Sequence, residues 1–96
     1  MKMGSNDLRF AVNPKVASSV HDNGIVLLHL ANGHLFASNA AGARIWRGVE
    51  ERQPLEVIVN DINDAYQIGQ TTAWVHVEAF LAELEQKELI KRETKS

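Results

Sequence analysis

Cysteine is absent from this 96-residue chain, which excludes disulfides, thiolate nucleophiles and Cys-based metal sites. No apolar run approaches the roughly 20 residues of a membrane span, and Met1 to Asp7 lack the apolar centre of a signal peptide. A cytoplasmic protein without a membrane partner is the expectation. Excess positive charge is missing too: ten Lys and Arg stand against twelve Asp and Glu, a formal net charge of −2. That balance argues against nucleic acid as a partner, which calls for a basic face. There is no Gly-x-Ser-x-Gly elbow to carry a nucleophile. No glycine-rich loop precedes a helix to cradle a phosphate. The rest is ordinary, 45% apolar and 23% charged, enough for one domain with one modest core.

Within that frame the chain is well punctuated. Residues 1–14 read as a loose N-terminal arm, although the alternation of Leu8, Phe10 and Val12 also fits a short strand ended by Pro14. Three apolar-rich runs follow, Val16 to Asp22, Ile25 to Ala31 and His34 to Ser38, separated by Asn23-Gly24 and Asn32-Gly33. Asn-Gly supplies the two positive-φ positions of a type I′ turn, so the runs predict a three-stranded antiparallel meander. A two-residue second turn pairs Leu30 with Leu35, His29 with Phe36 and Leu28 with Ala37. Alternation then places Val26, Leu28, Leu30, Leu35 and Ala37 on one face, and Leu27, His29, Phe36 and Ser38 on the other. The wholly apolar first set is expected against the helices. The second leaves Leu27 and Phe36 under the N-terminal arm or facing a ligand groove.

Asn39 ends the last strand and can cap the helix that follows. That helix is expected over about Ala40 to Gly48, with Ala41, Ile45 and Val49 on one stripe and Trp46 beside it. Gly42, inside its first turn, predicts close helix–sheet packing. Pro54 opens a second helix carrying Leu55, Ile58 and Ile62. Gly69-Gln70 breaks it, and Thr71 or Thr72 can cap a third helix on which Ala73, Val77, Phe80, Leu81 and Leu84 recur. Lys91 to Ser96 reads as a polar frayed tail, with 93–96 disordered and 15–92 the folded domain. The fold class is α+β, a three-stranded antiparallel meander followed by three helices, resembling a winged helix-turn-helix.

The constellations that could carry chemistry are thin. His21, His29, His34 and His76 are scattered over two strands and a helix, with no His-x-x-x-His pair, so no metal is expected. Asp61 and Asp64 lie three apart on the outer side of an amphipathic helix, where solvation accounts for them. General acid–base work instead needs carboxylates converging on a pocket with separated pKa values. No catalytic residue and no cofactor is assigned. A meander with three helices is also the part list of a winged-helix DNA regulator, yet the third helix exposes Glu78, Glu83 and Glu85, which would repel phosphate.

The apolar strand, the Gly-containing turn, the strand ending in Asn39, and then Ala40-Ala41-Gly42-Ala43-Arg44-Ile45-Trp46 form an ordered series. It continues with a short helix from Leu55, then Val77-Glu78-Ala79-Phe80-Leu81-Ala82-Glu83-Leu84 and a closing Leu89-Ile90. This series resembles the PqqD family, small peptide chaperones of pyrroloquinoline quinone assembly. More broadly, it resembles the recognition elements of pathways that modify ribosomally made peptides. The match covers roughly Val16 to Lys91. It departs from the family pattern at Ser38, where Leu is common, at His76, where Asp is common, and at Glu88, where Gly is common. Those departures point to a divergent member outside the quinone pathway proper.

The resemblance implies a non-catalytic adaptor that binds the leader of a precursor peptide by strand addition and presents it to a peptide-modifying enzyme. The peptide edge would be His34, Leu35, Phe36, Ala37 and Ser38. The groove wall would be one flank of the third helix, either Trp74, Glu78, Leu81 and Glu85 or His76, Phe80, Glu83 and Lys87. Trp74, large and just off the core stripe, favours the first, so Trp74, Glu78 and Leu81 join the expected site. A winged-helix DNA-binding regulator is the alternative. A homodimer paired across the same strand edge is a third reading.

Overall fold

A computed structural model describes residues 8–93; the outer parts of the expected arm and tail, 1–7 and 94–96, lie outside the described residues. The elements in chain order are β1 (Arg9–Val12), β2 (Val16–His21), β3 (Gly24–His29), β4 (Leu35–Asn39), α1 (Ala40–Glu50), α2 (Leu55–Tyr66), α3 (Gln70–Gln86) and β5 (Ile90–Glu93). The meander and the three helices are where the sequence puts them, in an α+β arrangement. The strands β2-β3-β4 form one antiparallel sheet, and β1 pairs with β5 in a separate antiparallel ribbon.

That ribbon realises the short strand that the alternation of Leu8, Phe10 and Val12 allowed, and it corrects the frayed tail. Residues expected in a loose arm and a frayed tail are paired, Arg9 with Glu93 and Val12 with Ile90. Leu8, Phe10, Leu89 and Ile90 are buried in the core. The Arg92 guanidinium lies over the Phe10 ring at 5.4 Å and donates to both carboxylate oxygens of Glu85 at 3.1 Å. The Leu8 carbonyl accepts the Leu55 N–H at 2.9 Å, where Pro54 leaves the start of α2 without a side-chain cap. Partners this far apart in sequence leave no local signal that the two segments pair.

Both hairpin turns differ from the Asn-Gly reading. The first turn is Asp22-Asn23, because His21 pairs with Gly24. A Cβ on Gly24 would lie 2.6 Å from the Ser38 carbonyl oxygen, so this glycine serves a close strand approach. The second loop spans Leu30 to Gly33, with the His29 N–H donating to the His34 carbonyl at 2.9 Å and Gly33, at φ 79°, donating to the His29 carbonyl. Leu28 consequently pairs with Leu35, and Leu27 with Phe36. The register moves by an even number of residues, so the two face sets survive intact.

Which face is inside is reversed. Ile25, Leu27, Phe36 and His29 are buried, whereas Leu30 and Leu35 are 64% and 65% exposed and Val26 is also exposed. His29 decides this, because it is buried with partners. Its Nδ1 accepts the N–H groups of Ala31 and Asn32 at 3.2 and 3.3 Å, which leaves the ring proton on Nε2. Hydrogen bonding at Nδ1 lowers the cost of burying the ring. The rest of that face then joins the helices, and the smoother apolar set is left outside.

The helices bury the expected stripes: Ile45, Trp46 and Val49 on α1; Leu55, Ile58 and Ile62 on α2; Ala73, Val77, Leu81 and Leu84 on α3. Asn39 caps α1 as anticipated, its Oδ1 accepting the Gly42 N–H at 3.0 Å. The start of α3 is corrected: Gly69, at φ 96°, occupies the cap, and Thr71 and Thr72 lie inside the helix. Asn63 accepts the Gly69 N–H at 2.9 Å and so ties the turn to α2. Arg44 and Asp61 join α1 to α2 through two hydrogen bonds of 3.0 Å. The hydrogen bonding and charge of Asp61 raise the Arg44 pKa beyond its ordinary value.

At the other end of α3, Glu88 adopts φ 62° while the Leu89 N–H returns to the Leu84 carbonyl at 2.9 Å, a helix end that normally takes glycine. A left-handed non-glycine residue costs about 1–2 kcal/mol, partly offset by the roughly 0.5–1 kcal/mol of extra chain entropy glycine loses on folding. Glu88→Gly is therefore expected to raise unfolding stability by up to about 1 kcal/mol. Chemical denaturation of the two proteins checks this, and a loss of stability would contradict the assignment.

Candidate functional site

The strand order leaves β4 at an edge of its sheet. In an antiparallel pair, successive residues turn their backbone groups alternately toward and away from the partner strand. His34 bonds inward to His29, so Phe36 and Ser38 follow it inward, and Leu35 and Ala37 turn their N–H and C=O outward. An exposed row of this kind is a template for another strand.

Beside this edge runs one flank of α3. The Phe36 and Phe80 rings meet edge to face, centroids 5.6 Å apart and planes at 69°. Phe36 is buried and Phe80 half-buried, which makes an apolar floor between strand and helix. Gly42 sits behind that floor. A Cβ there would lie 2.4 Å from Ser38 Oγ, 2.7 Å from Ser38 Cβ and 2.9 Å from Phe80 Cε1. At the start of β4 the groove opens into a cavity of about 340 Å³ lined by His34, Leu35, Gln86 and Lys87.

Of the residues expected from sequence, His34, Leu35 and Ala37 lie exposed on the strand, Ser38 is half-buried and Phe36 forms the floor. The helix flank favoured from sequence is mostly occupied by contacts within the protein. Leu81 is 1% exposed and belongs to the core, Trp74 packs against that core half-buried, and Glu85 is bound to Arg92 of β5. Glu78, between them in sequence, is exposed. The other flank, which sequence left open, faces β4 through Phe80 and Lys87, with His76 and Glu83 at helical spacing beside them. Phe80 is placed by the sequence both on the core stripe and on this second flank. Its position at the margin of that stripe, three residues from Val77 and four from Leu84, was the available signal.

The remaining histidines are dispersed. His21 shares a 2.8 Å hydrogen bond with Ser19, and His29 stays in its loop. Among the described residues no three His, Asp or Glu side chains converge as a metal site. No helix among them is long and apolar enough to cross a membrane.

A meander with an open third edge, set against the last of three helices, defines the winged-helix-like class of small α+β domains. The sequence profile of coenzyme PQQ synthesis protein D (PqqD) matches residues 24–90, and the chain belongs to the PqqD family. The solved structure of TbiB1 in complex with the TbiA(beta) leader peptide is 36% identical, with a TM-score of 0.78 over 83% of this chain and 93% of that one. Lasso peptide synthetase B1 complexed with its leader peptide shares the fold, with a TM-score of 0.76 at 20% identity over 84% and 95% of the two chains. No curated protein matches the sequence.

Because Gly42 leaves no room for a side chain, Gly42→Ala must displace Ser38 and Phe80. Overpacking of this kind costs about 1–3 kcal/mol. Thermal unfolding is expected to show that loss, and a variant as stable as the parent would contradict the close approach.

Proposed function

We propose that the protein is a non-catalytic adaptor that binds the leader segment of a precursor peptide as an added strand along β4 and presents it to a peptide-modifying enzyme. The observation that carries this reading is the outward backbone row of Leu35 and Ala37 beside the Phe36–Phe80 floor. Strand addition takes affinity from main-chain hydrogen bonds and specificity from pockets for alternate side chains, and both parts are present here. Membership of the PqqD family and the likeness to TbiB1, which is itself complexed with a leader peptide, support it. Nothing comparable favours the DNA-regulator alternative: the exposed side of α3 carries Glu78 and Glu83, the wrong sign for a phosphate backbone. The same edge would also serve a homodimer, but a peptide uses the α3 flank as well as the strand.

Leu35→Pro removes an outward N–H at an edge, where proline is tolerated by the fold. Leaving a peptide carbonyl unpaired costs about 1–3 kcal/mol. Isothermal titration of a precursor-like peptide captured from lysate is therefore expected to show binding at least about ten-fold weaker for the folded variant. Unchanged affinity would overturn strand addition along β4.

A further inference from the structure

We infer that the groove carries a carboxylate subsite at its His34–Lys87 end, which selects leader peptides bearing Asp or Glu two residues from an apolar anchor. This rests on the strand-addition reading and specifies what the groove recognises.

Lys87 is the key. It follows α3 directly and lies four residues after Glu83, the order in which a helical Glu–Lys pair stabilises most readily. The pair is not made. The three ion pairs among the described residues are Arg44–Asp61, Arg52–Glu93 and Arg92–Glu85, and Lys87 is in none of them. Instead it is half-buried and lines the cavity of about 340 Å³ with His34, Leu35 and Gln86. Among those four lining residues there is no carboxylate, so the cation faces a space with no counter-charge of its own. A peptide carboxylate would supply one, with the Gln86 amide and the His34 ring as further hydrogen-bonding groups.

The strand geometry fixes the spacing. On β4 the side chains of His34, Phe36 and Ser38 share the face toward the helices, because alternate residues share a face. A strand laid beside β4 has the same two-residue alternation. Its inward residue beside Phe36 meets the Phe36–Phe80 floor and must be apolar. Its next inward residue, two positions away in whichever direction the peptide runs, lies beside His34 at the Lys87 cavity. The apolar anchor and the acidic residue are thus separated by one outward-facing residue.

Selection from a displayed library of random twelve-residue peptides tests this, using the full chain and its Lys87→Glu and Leu35→Pro variants. The parent protein is expected to enrich Asp or Glu two positions from an apolar residue. Lys87→Glu is expected to keep the apolar anchor, which also reports that it is folded, and to replace the acidic residue with Lys or Arg. A selected peptide with its acid changed to Lys should bind the parent about five-fold more weakly, in the range of one partly exposed ion pair. It should recover on Lys87→Glu. Peptides enriched for the anchor without a charge preference, or with one that Lys87→Glu leaves unchanged, would overturn the subsite while leaving strand addition intact. Peptides retained equally by Leu35→Pro would overturn the strand-addition reading and the subsite with it.

Discussion

The missing side chain at Gly42 is the constraint around which the rest of the molecule is arranged. On α1 it leaves room for a residue of β4 and one of α3, with Ser38 and Phe80 both inside the space a methyl group would need. Three residues earlier, Asn39 closes the strand and caps the helix in one side chain. The direction in which α1 leaves the sheet and the depth to which it sinks are set within four residues. That depth lets Phe80 reach Phe36, so the groove floor exists because a helix on its far side has no side chain in the way.

A second organising centre holds the corner between the terminal ribbon and the meander. Asn13 donates its side-chain amide to the Glu88 carbonyl at 2.9 Å and accepts the Lys15 N–H at 2.9 Å. Its backbone N–H reaches the Leu89 carbonyl at 3.0 Å, and its side chain also meets His29. One residue between β1 and β2 thereby connects the end of α3, the entry of β5 and the loop before β4. The bonds to Glu88 and Lys15 are exposed and stabilise little individually, but they all pass through one residue.

Much of this was legible in the chain, where the signal is local. The three helices and their core stripes follow from three–four periodicity, and the Asn39 cap from residue type. The meander follows from alternation between turn residues. Several readings failed because they depended on a partner distant in sequence. Arg9 to Val12 looks like an arm until Ile90 to Glu93 lies beside it. The wholly apolar set of Val26, Leu28, Leu30, Leu35 and Ala37 looks like the inner face until the buried His29, held by the N–H groups of Ala31 and Asn32, shows that the mixed set packs inside. Trp74 drew attention by its size, whereas the flank facing β4 was decided by Phe80, a residue that periodicity also assigns to the core.

The β1–β5 ribbon has one more consequence, for tethering. Because Arg9 and Glu93 are paired, a linker attached at either end of the described span would leave from the same point, beside Arg52 in the loop between α1 and α2. A second protein joined through such a linker would be held at an effective concentration set by linker length and stiffness. That concentration would be nearly the same whichever end carried it.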